Sequence, residues 1–360
     1  MITSMLNLIK WTALISLWPA CSFSRNEKGP ERLHYKPFNG TTLKEIAGRK
    51  LHHGDDGVFL NPLGADRSHR RLGSVLYWKL FSPNRFKPHL KDQPTIPVRI
   101  DWPSLEEKRG VSVTLVKHAC VVIKDGSHHL IVDPVFFQIF RFIEDFTPIG
   151  FDLKQMSVPD HILITHGHYD HIDKPSLSTF PGKTHLVTPL GYDDIFADLK
   201  MSNRTPLDWF DTHDDGRWRI TLLPCNHWTM RNPIIGPNRS LWGSYLVRTP
   251  SGATIYLSGD TAWFDGFAEI GEMYDIDLAV FNLSAYEPRW FMAQSHVNPE
   301  ETVRAFKELK AKKLMIAHWG TFQLGDEPVH FPPMDLEKVL EKENLLDRWV
   351  RMQHGETFFL

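Results

Sequence analysis

The chain has 360 residues, with 41 Lys and Arg against 43 Asp and Glu, and a formal net charge of −2. That balance leaves no basic stripe for a nucleic-acid backbone, so no nucleic acid is expected as a partner. Its three cysteines, Cys21, Cys120 and Cys225, supply no disulfide framework, and the length suits one large domain with an amino-terminal extension.

Residues 1–24 read as a leader. One positive charge at Lys10 precedes a short apolar stretch, Trp11 to Trp18, which ends at Pro19-Ala-Cys21. The stretch is too short to cross a bilayer and has the shape of a secretory signal. Ala20 before Cys21 is similar to the end of a bacterial lipoprotein signal, although Trp18 fits that pattern poorly. An uncleaved membrane-associating helix and a disordered leader are the other readings. The expectation is a location in the cell envelope, membrane-associated or periplasmic, with Cys21 as the residue that would carry lipid.

Residues 25–100 form a polar extension punctuated by Gly and Pro, in which His52, His53, His69 and His89 are expected to be solvated. Within it, Val75-Leu-Tyr-Trp-Lys-Leu-Phe81 and Pro83-Asn-Arg-Phe-Lys-Pro88 are aromatic and basic. They are expected to form an arm laid over the main body or an element facing a membrane.

The main domain is expected over residues 101–360. From Gly110, strands and helices alternate in two similar halves. The first has a hairpin turning at Asp125-Gly126, in which Cys120 is a core residue, then strands at Leu130–Val135, Asp160–Ile164 and His185–Val187. Helices are expected near Pro175 and from Tyr192 to Leu199. The second half has strands at Arg219–Leu223, Trp242–Arg248, Thr254–Ser258, Leu278–Leu283 and Lys313–Ala317. Asn298-Pro-Glu-Glu301 then places a cap, a first-turn Pro and an acidic residue three positions on, the start of a helix.

One run carries most of the chemistry. In Thr165-His-Gly-His-Tyr-Asp-His171, three imidazoles and a carboxylate occur within six positions, a donor set suited to zinc and similar divalent ions. A helix would scatter them, whereas a loop between a strand and a helix brings them together.

HxHxDH at a strand end is the signature of the metallo-β-lactamase superfamily, which the chain resembles from about Gly110 to Leu360. The phrases Pro224-Cys-Asn-His-Trp228, His296-Val-Asn-Pro-Glu-Glu301 and His318-Trp-Gly-Thr-Phe322, with the hairpin Val116–Ile123, resemble the branch of N-acyl-phosphatidylethanolamine-hydrolysing phospholipases D. That resemblance implies an α+β fold, the αββα sandwich of two mixed sheets flanked by helices. It implies two Zn2+ per chain, one on His166, His168 and His227 and the other on Asp170, His171 and His318, with Asp260 and a hydroxide between them. Asp170 is then expected both to bind metal and to orient the hydroxide. His296 would face the phosphate at the amino end of its helix.

Around this centre, Asp133, Thr165, Asp173 and His118 are candidates to hold the imidazoles in the right tautomer, and His118 and Asp133 read equally as buried structural polar residues. Phe136 and Phe140, in Val135–Ile143, and Arg289 and Trp290, in Tyr286–Met292, are candidate substrate contacts. A stripe packed into the body explains the phenylalanines equally well. Lys117 stands where the branch usually has Gly and is expected at the rim of the site. The implied activity is phosphodiester hydrolysis of a phospholipid or small amphiphile at a membrane surface, with a metal-dependent lactonase or ester hydrolase as the alternative. A homodimer is compatible with the sequence.

Overall fold

The computed structural model describes residues 40–64, 72–232 and 234–360. The leader, Cys21 and His69 lie outside the described residues.

Two sheets face each other. The first has seven strands in the order β13-β1-β2-β3-β4-β5-β6, and the second has six in the order β12-β11-β10-β9-β8-β7. In the first, β1 (Val111–Lys117), β2 (Cys120–Asp125) and β3 (His128–Val132) run antiparallel, β13 (Thr357–Phe359) adds to β1, and β4 (His161–Leu163), β5 (His185–Pro189) and β6 (Arg204–Leu207) continue parallel to β3. In the second, β7 (Thr212–Asp214), β8 (Arg219–Leu223), β9 (Ser244–Arg248) and β10 (Thr254–Leu257) alternate in direction, and β11 (Leu278–Asn282) and β12 (Lys313–Ala317) run parallel to β10. Both sheets are therefore mixed.

The period-two alternation of strand side chains decides which residues meet where. Leu163 and Val187 point into the core between the sheets with Ile220, Leu222, Tyr245 and Val247. Their neighbours Ile162, Ile164 and Leu186 point the other way, onto Leu177, Phe196 and Trp102. Trp102 opens α3 (Trp102–Glu107), Leu177 closes α4 (Lys174–Leu177) and Phe196 lies in α5 (Asp193–Ala197), so these helices cover the first sheet. Over the second, α6 (Gly266–Met273), α8 (Pro299–Glu308) and α9 (Phe331–Lys342) add Phe267, Ile270, Val303, Phe306, Leu336 and Leu340 to the main core. Each such apolar side chain stabilises the fold by about 1.5–3 kcal/mol when fully buried. α8 starts as its sequence dictates, because Asn298 caps it and the Glu301 carboxylate accepts from the Asn298 backbone N–H.

The extension packs on this sandwich. Leu43 and Ile46 of α1 (Leu43–Gly48), with Phe59 and Leu63, join the main core. Trp78 of α2 (Leu72–Leu80) packs with Ala285, Met292 and Phe291, while Tyr77, Leu80 and Phe81 stay exposed. His52 corrects the sequence expectation of a solvated ring. It is fully buried, stacked on Trp209 at 4.2 Å and bonded to the Asp208 carboxylate. Cys120 and Cys225 are buried. Among the described residues no helix is long and apolar enough to cross a membrane.

Candidate metal centre

β4, β8, β10 and β12 end at Leu163, Leu223, Leu257 and Ala317, and His166, His227, Asp260 and His318 follow within four residues of those ends. The loop after β4 is tight. A Cβ on Gly167 would lie 2.6 Å from Thr229 Oγ1, and only glycine lets the Gly167 N–H donate to that hydroxyl at 3.0 Å, which sets the two flanking histidines on the same side.

The ligands gather into two groups of four. His166, His168, His227 and Asp260 form one, and His118, Asp170, His171 and His318 the other; within each, one ligand atom per residue lies within 4.8 Å of the rest. Asp260 sits between them. Its Oδ2 is 3.9 Å from His166 Nε2, 4.0 Å from His227 Nε2 and 3.4 Å from His171 Nε2, and its Oδ1 is 3.4 Å from His318 Nε2. Asp170 Oδ2 approaches His318 Nε2 at 3.3 Å and His171 Nε2 at 3.6 Å.

Surrounding hydrogen bonds fix the tautomers. The Thr165 hydroxyl donates to Asp133 Oδ2 at 2.6 Å, so it accepts from His166 Nδ1 at 3.0 Å. His227 Nδ1 donates to the Ser295 carbonyl at 3.1 Å, and His171 Nδ1 to Asp133 Oδ2 at 2.7 Å. The Nε2 atoms of His166 and His227 therefore carry lone pairs, yet they lie 2.9 and 3.3 Å from His168 Nδ1. One hydrogen at most is available among those three nitrogens. A divalent cation bound by all three satisfies them, so the donor set fits a metal.

Charge points the same way. Burial, then the neighbouring His171 and His168, hold the pKa of His166 well below the usual imidazole value, and burial and His166 do so for His227. Burial opposes charge on His171 too, but the carboxylates of Asp260, Asp170 and Asp133 overcome it and raise its pKa well above the usual value. Burial opposes ionisation of Asp260 and Asp170, yet the imidazoles around them hold both carboxyls far below the usual range. The carboxylates of Asp260 and Asp170, held ionised, converge on this pocket, and cations are what they attract.

The remaining candidates fall in different places. Asp133 reaches ligands of both groups, His171 directly and His166 through Thr165. His118 is fully buried, with its pKa pushed down to about 3 by burial and by His318. As a neutral ring it donates from Nε2 to Asp170 Oδ2 at 3.1 Å, and its backbone carbonyl accepts from the His318 N–H at 2.7 Å. His296 Nδ1 lies 3.8 Å from Asp260 Oδ2. With His168 and Asp170, His296 is one of the ligand-lining groups that solvent reaches.

Other expectations need correction. The Asp173 carboxylate caps α4, accepting from Ser176 N and Oγ, and orients no ligand. Phe136 is buried in the core against Phe180, so it is not on the substrate side. Arg289 is committed internally, to the Glu301 carboxylate at 2.8 Å and to the carbonyls of His296 and Tyr286, so it braces the His296 segment instead of facing phosphate. Lys117 is fully buried and donates to Asp145 Oδ2 at 2.5 Å, which removes it from the rim. Phe140 does lie beside the metal loop, 5.1 Å from Tyr169, and Trp290 is 41% exposed at the edge of the Tyr77 patch.

Three supporting groups escaped the sequence reading. Asn282 donates to Asp260 Oδ1 at 2.9 Å, and as a polar residue closing the apolar strand β11 it carried the signal that marked the ligands themselves. The Ser295 carbonyl and the Thr321 hydroxyl, which accepts from His118 N, act through contacts that no side-chain pattern announces.

Asp133→Asn is expected to keep the fold, since Asn tolerates the left-handed backbone found there (φ 41°). It places an amide where two donors need a carboxylate, so metal affinity should fall roughly 10–100-fold. Dialysis against buffered zinc followed by metal analysis measures this, and unchanged affinity would remove Asp133 from the centre.

Comparison with known proteins agrees with this geometry. Residues 128–319 match the model of the β-lactamase superfamily domain, more than half of the chain. A mitochondrial N-acyl-phosphatidylethanolamine-hydrolysing phospholipase D of Saccharomyces cerevisiae is 28% identical over 271 residues, 71% of this chain and 58% of that protein; this chain thus spans under two thirds of that relative's length. An N-acyl-phosphatidylethanolamine-hydrolysing phospholipase D 1 of Caenorhabditis elegans is 29% identical over 288 residues, 73% of this chain and 80% of its own length. Among solved structures, a possible metal-dependent hydrolase of Veillonella parvula superposes with a TM-score of 0.58 at 15% identity, covering 70% of this chain and 100% of that one. The matched domain, the two mixed sheets and the ligand loops at their strand ends make this chain a metal-dependent hydrolase of the β-lactamase superfamily, similar to the N-acyl-phosphatidylethanolamine-hydrolysing branch.

Proposed function

We propose that the protein is a dinuclear zinc phosphodiesterase of the phospholipase D type, acting on a phospholipid such as an N-acyl-phosphatidylethanolamine at a membrane surface of the cell envelope. The observation that carries the reading is Asp260 between two groups of ligands, within 4.0 Å of imidazoles in each. His166, His168 and His227 would hold one ion, Asp170, His171 and His318 the other, with Asp260 shared. Ions bound there supply an acidified water and positive charge for the developing phosphoryl oxyanion.

The chain's own groups do the positioning. Asp133, through Thr165 and directly, fixes the tautomers that point Nε2 of His166 and His171 inward. His118 steadies Asp170, whose partly exposed carboxylate can accept a hydrogen bond from the attacking water. His296, on the open side and ahead of the anion-favouring end of α8, is placed to meet a phosphate oxygen.

Apolar groups surround that opening. Phe140 stacks on Phe142 at 5.3 Å and touches Tyr169, whose hydroxyl donates to the Arg231 carbonyl; beyond Arg231, Ile234 and Ile235 are 76% and 57% exposed. Tyr77, Phe81 and Trp290 make a second exposed aromatic patch. Exposed isoleucines and aromatics beside a polar centre suit an amphiphile and a lipid interface.

Zinc-loaded protein should hydrolyse N-acyl-phosphatidylethanolamine vesicles and bis-p-nitrophenyl phosphate in preference to simple lactones. Faster lactone turnover would favour the carbon-ester alternative. Phe140→Ala with Trp290→Ala should raise KM for the lipid by about tenfold per ring, equivalent to roughly 1.4 kcal/mol each, and leave the small diester nearly unchanged. Equal losses on both substrates would mean that these rings only support the fold.

A further inference from the structure

A second histidine cluster lies away from the hydrolytic centre. His161 opens β4, His185 opens β5 as its direct register partner, and His213 is the middle residue of β7 at the edge of the opposite sheet. The metal loop leaves the other end of β4, five residues further on, so at about 3.3 Å per strand residue the two places are roughly 16 Å apart. One ring nitrogen from each of the three histidines lies within 4.8 Å of the others, and the ring centroids are 4.6–5.0 Å apart.

The outer contacts of these rings are those of ligands. Asp215 Oδ2 lies 3.0 Å from His161 Nε2, and its Oδ1 is fixed by the backbone N–H groups of Arg217 and Trp218. A carboxylate held so firmly sets His161 as the Nε2–H tautomer and leaves a lone pair on Nδ1. That Nδ1 is buried without a hydrogen-bond partner, on a side chain only 4% exposed. His185 Nε2 is bonded to the Thr205 hydroxyl at 2.8 Å, and His213 Nε2 is also buried without a partner. Burying two imidazole nitrogens unsatisfied costs free energy that a core of this quality does not usually accept. Burial and the neighbouring imidazoles also push His185 down to about 4 and His213 below its usual value, so both are neutral rings with a lone pair to give.

We propose that His161, His185 and His213 form a second metal site for a borderline divalent ion of the zinc type, with Asp215 orienting His161. Three imidazoles and one position open to water, on the side of the half-exposed His185 and His213, complete a tetrahedral set. The ion cross-links β4 and β5 of one sheet to the edge strand of the other. Its role is to clamp the sandwich at the end remote from the chemistry, and it is independent of which substrate the hydrolytic centre takes.

The test is a count of ions. Metal-stripped full-length protein is reloaded with Zn2+, desalted and analysed beside His185→Gln/His213→Gln, whose positions are half-exposed and outside the hydrolytic centre. The variant should hold about one ion per chain fewer than the parent, hydrolyse bis-p-nitrophenyl phosphate at the parental rate, and show a smaller zinc-induced rise in Tm. Equal ion counts would overturn the site. Should the double variant fold poorly, zinc-soaked crystals of the parent decide the matter. An anomalous peak among the three rings supports the assignment, and its absence at a zinc concentration that fills the hydrolytic centre refutes it.

Discussion

Asp260→Ala is expected to abolish hydrolysis while leaving a folded chain. The side chain emerges from the loop after β10 and contributes no apolar packing, but its two oxygens reach His166 and His227 in one group and His171 and His318 in the other. Without it the two proposed ions would lose their common ligand, and transition-state stabilisation of several kcal/mol would go with them, roughly a thousandfold in rate or more. His166→Ala should act similarly, because it removes a nitrogen whose tautomer is already set by Thr165. Circular dichroism and urea denaturation check the fold, metal analysis should give fewer ions than the parent, and a phosphodiester assay gives the rate. Full metal content with full activity in Asp260→Ala would remove it from the bridging position.

The second large effect is on stability. Lys117→Met should cost about 3 kcal/mol in urea denaturation, because it leaves the Asp145 carboxylate, 13% exposed, without the cation that Lys117 brings to it from a fully buried position. Desolvation by burial lowers the Lys117 pKa, and Asp145 counters it, so the two groups depend on each other. The double variant Lys117→Met/Asp145→Asn should recover most of the loss. Additive losses in that cycle would show that the pair is not coupled. Activity should fall in the single variant as well. Asp145 Oδ1 accepts from Thr147 N, the Thr147 and Thr321 hydroxyls are bonded at 2.7 Å, and Thr321 accepts from His118 N, so the pair props the histidine that steadies Asp170.

What could be read from the sequence was local. The expected strands at Arg219–Leu223 and Lys313–Ala317 coincide with β8 and β12, since each is a largely apolar run opened by a basic residue. The cap at Asn298 was legible for the same reason: its partners are three residues apart. The misplaced residues are long or aromatic side chains whose location is decided at a distance. Lys117 finds Asp145 28 residues away, Arg289 is held by Glu301 from the next helix, and Phe136 is drawn into a core that includes Phe180. His161, His185 and His213 are unremarkable in the sequence because their separation of 24 and 28 residues matches no ligand spacing; only the stacking of β7 against the first sheet brings them together.

The division of the ligands between the sheets bears on how the enzyme matures. The HxHxDH loop belongs to the seven-stranded sheet, whereas His227, Asp260 and His318 belong to the six-stranded one. Neither sheet alone offers both halves of the donor set. Metal capture must therefore come after the halves have docked, late along the folding route, once closure of a loop reaching from His166 to His318 has been achieved. A nascent chain with only its first sheet formed would hold metal weakly and exchange it readily. Zinc added during refolding should then slow unfolding more than it speeds folding, so the ions act as a latch on a closed sandwich and not as its nucleus.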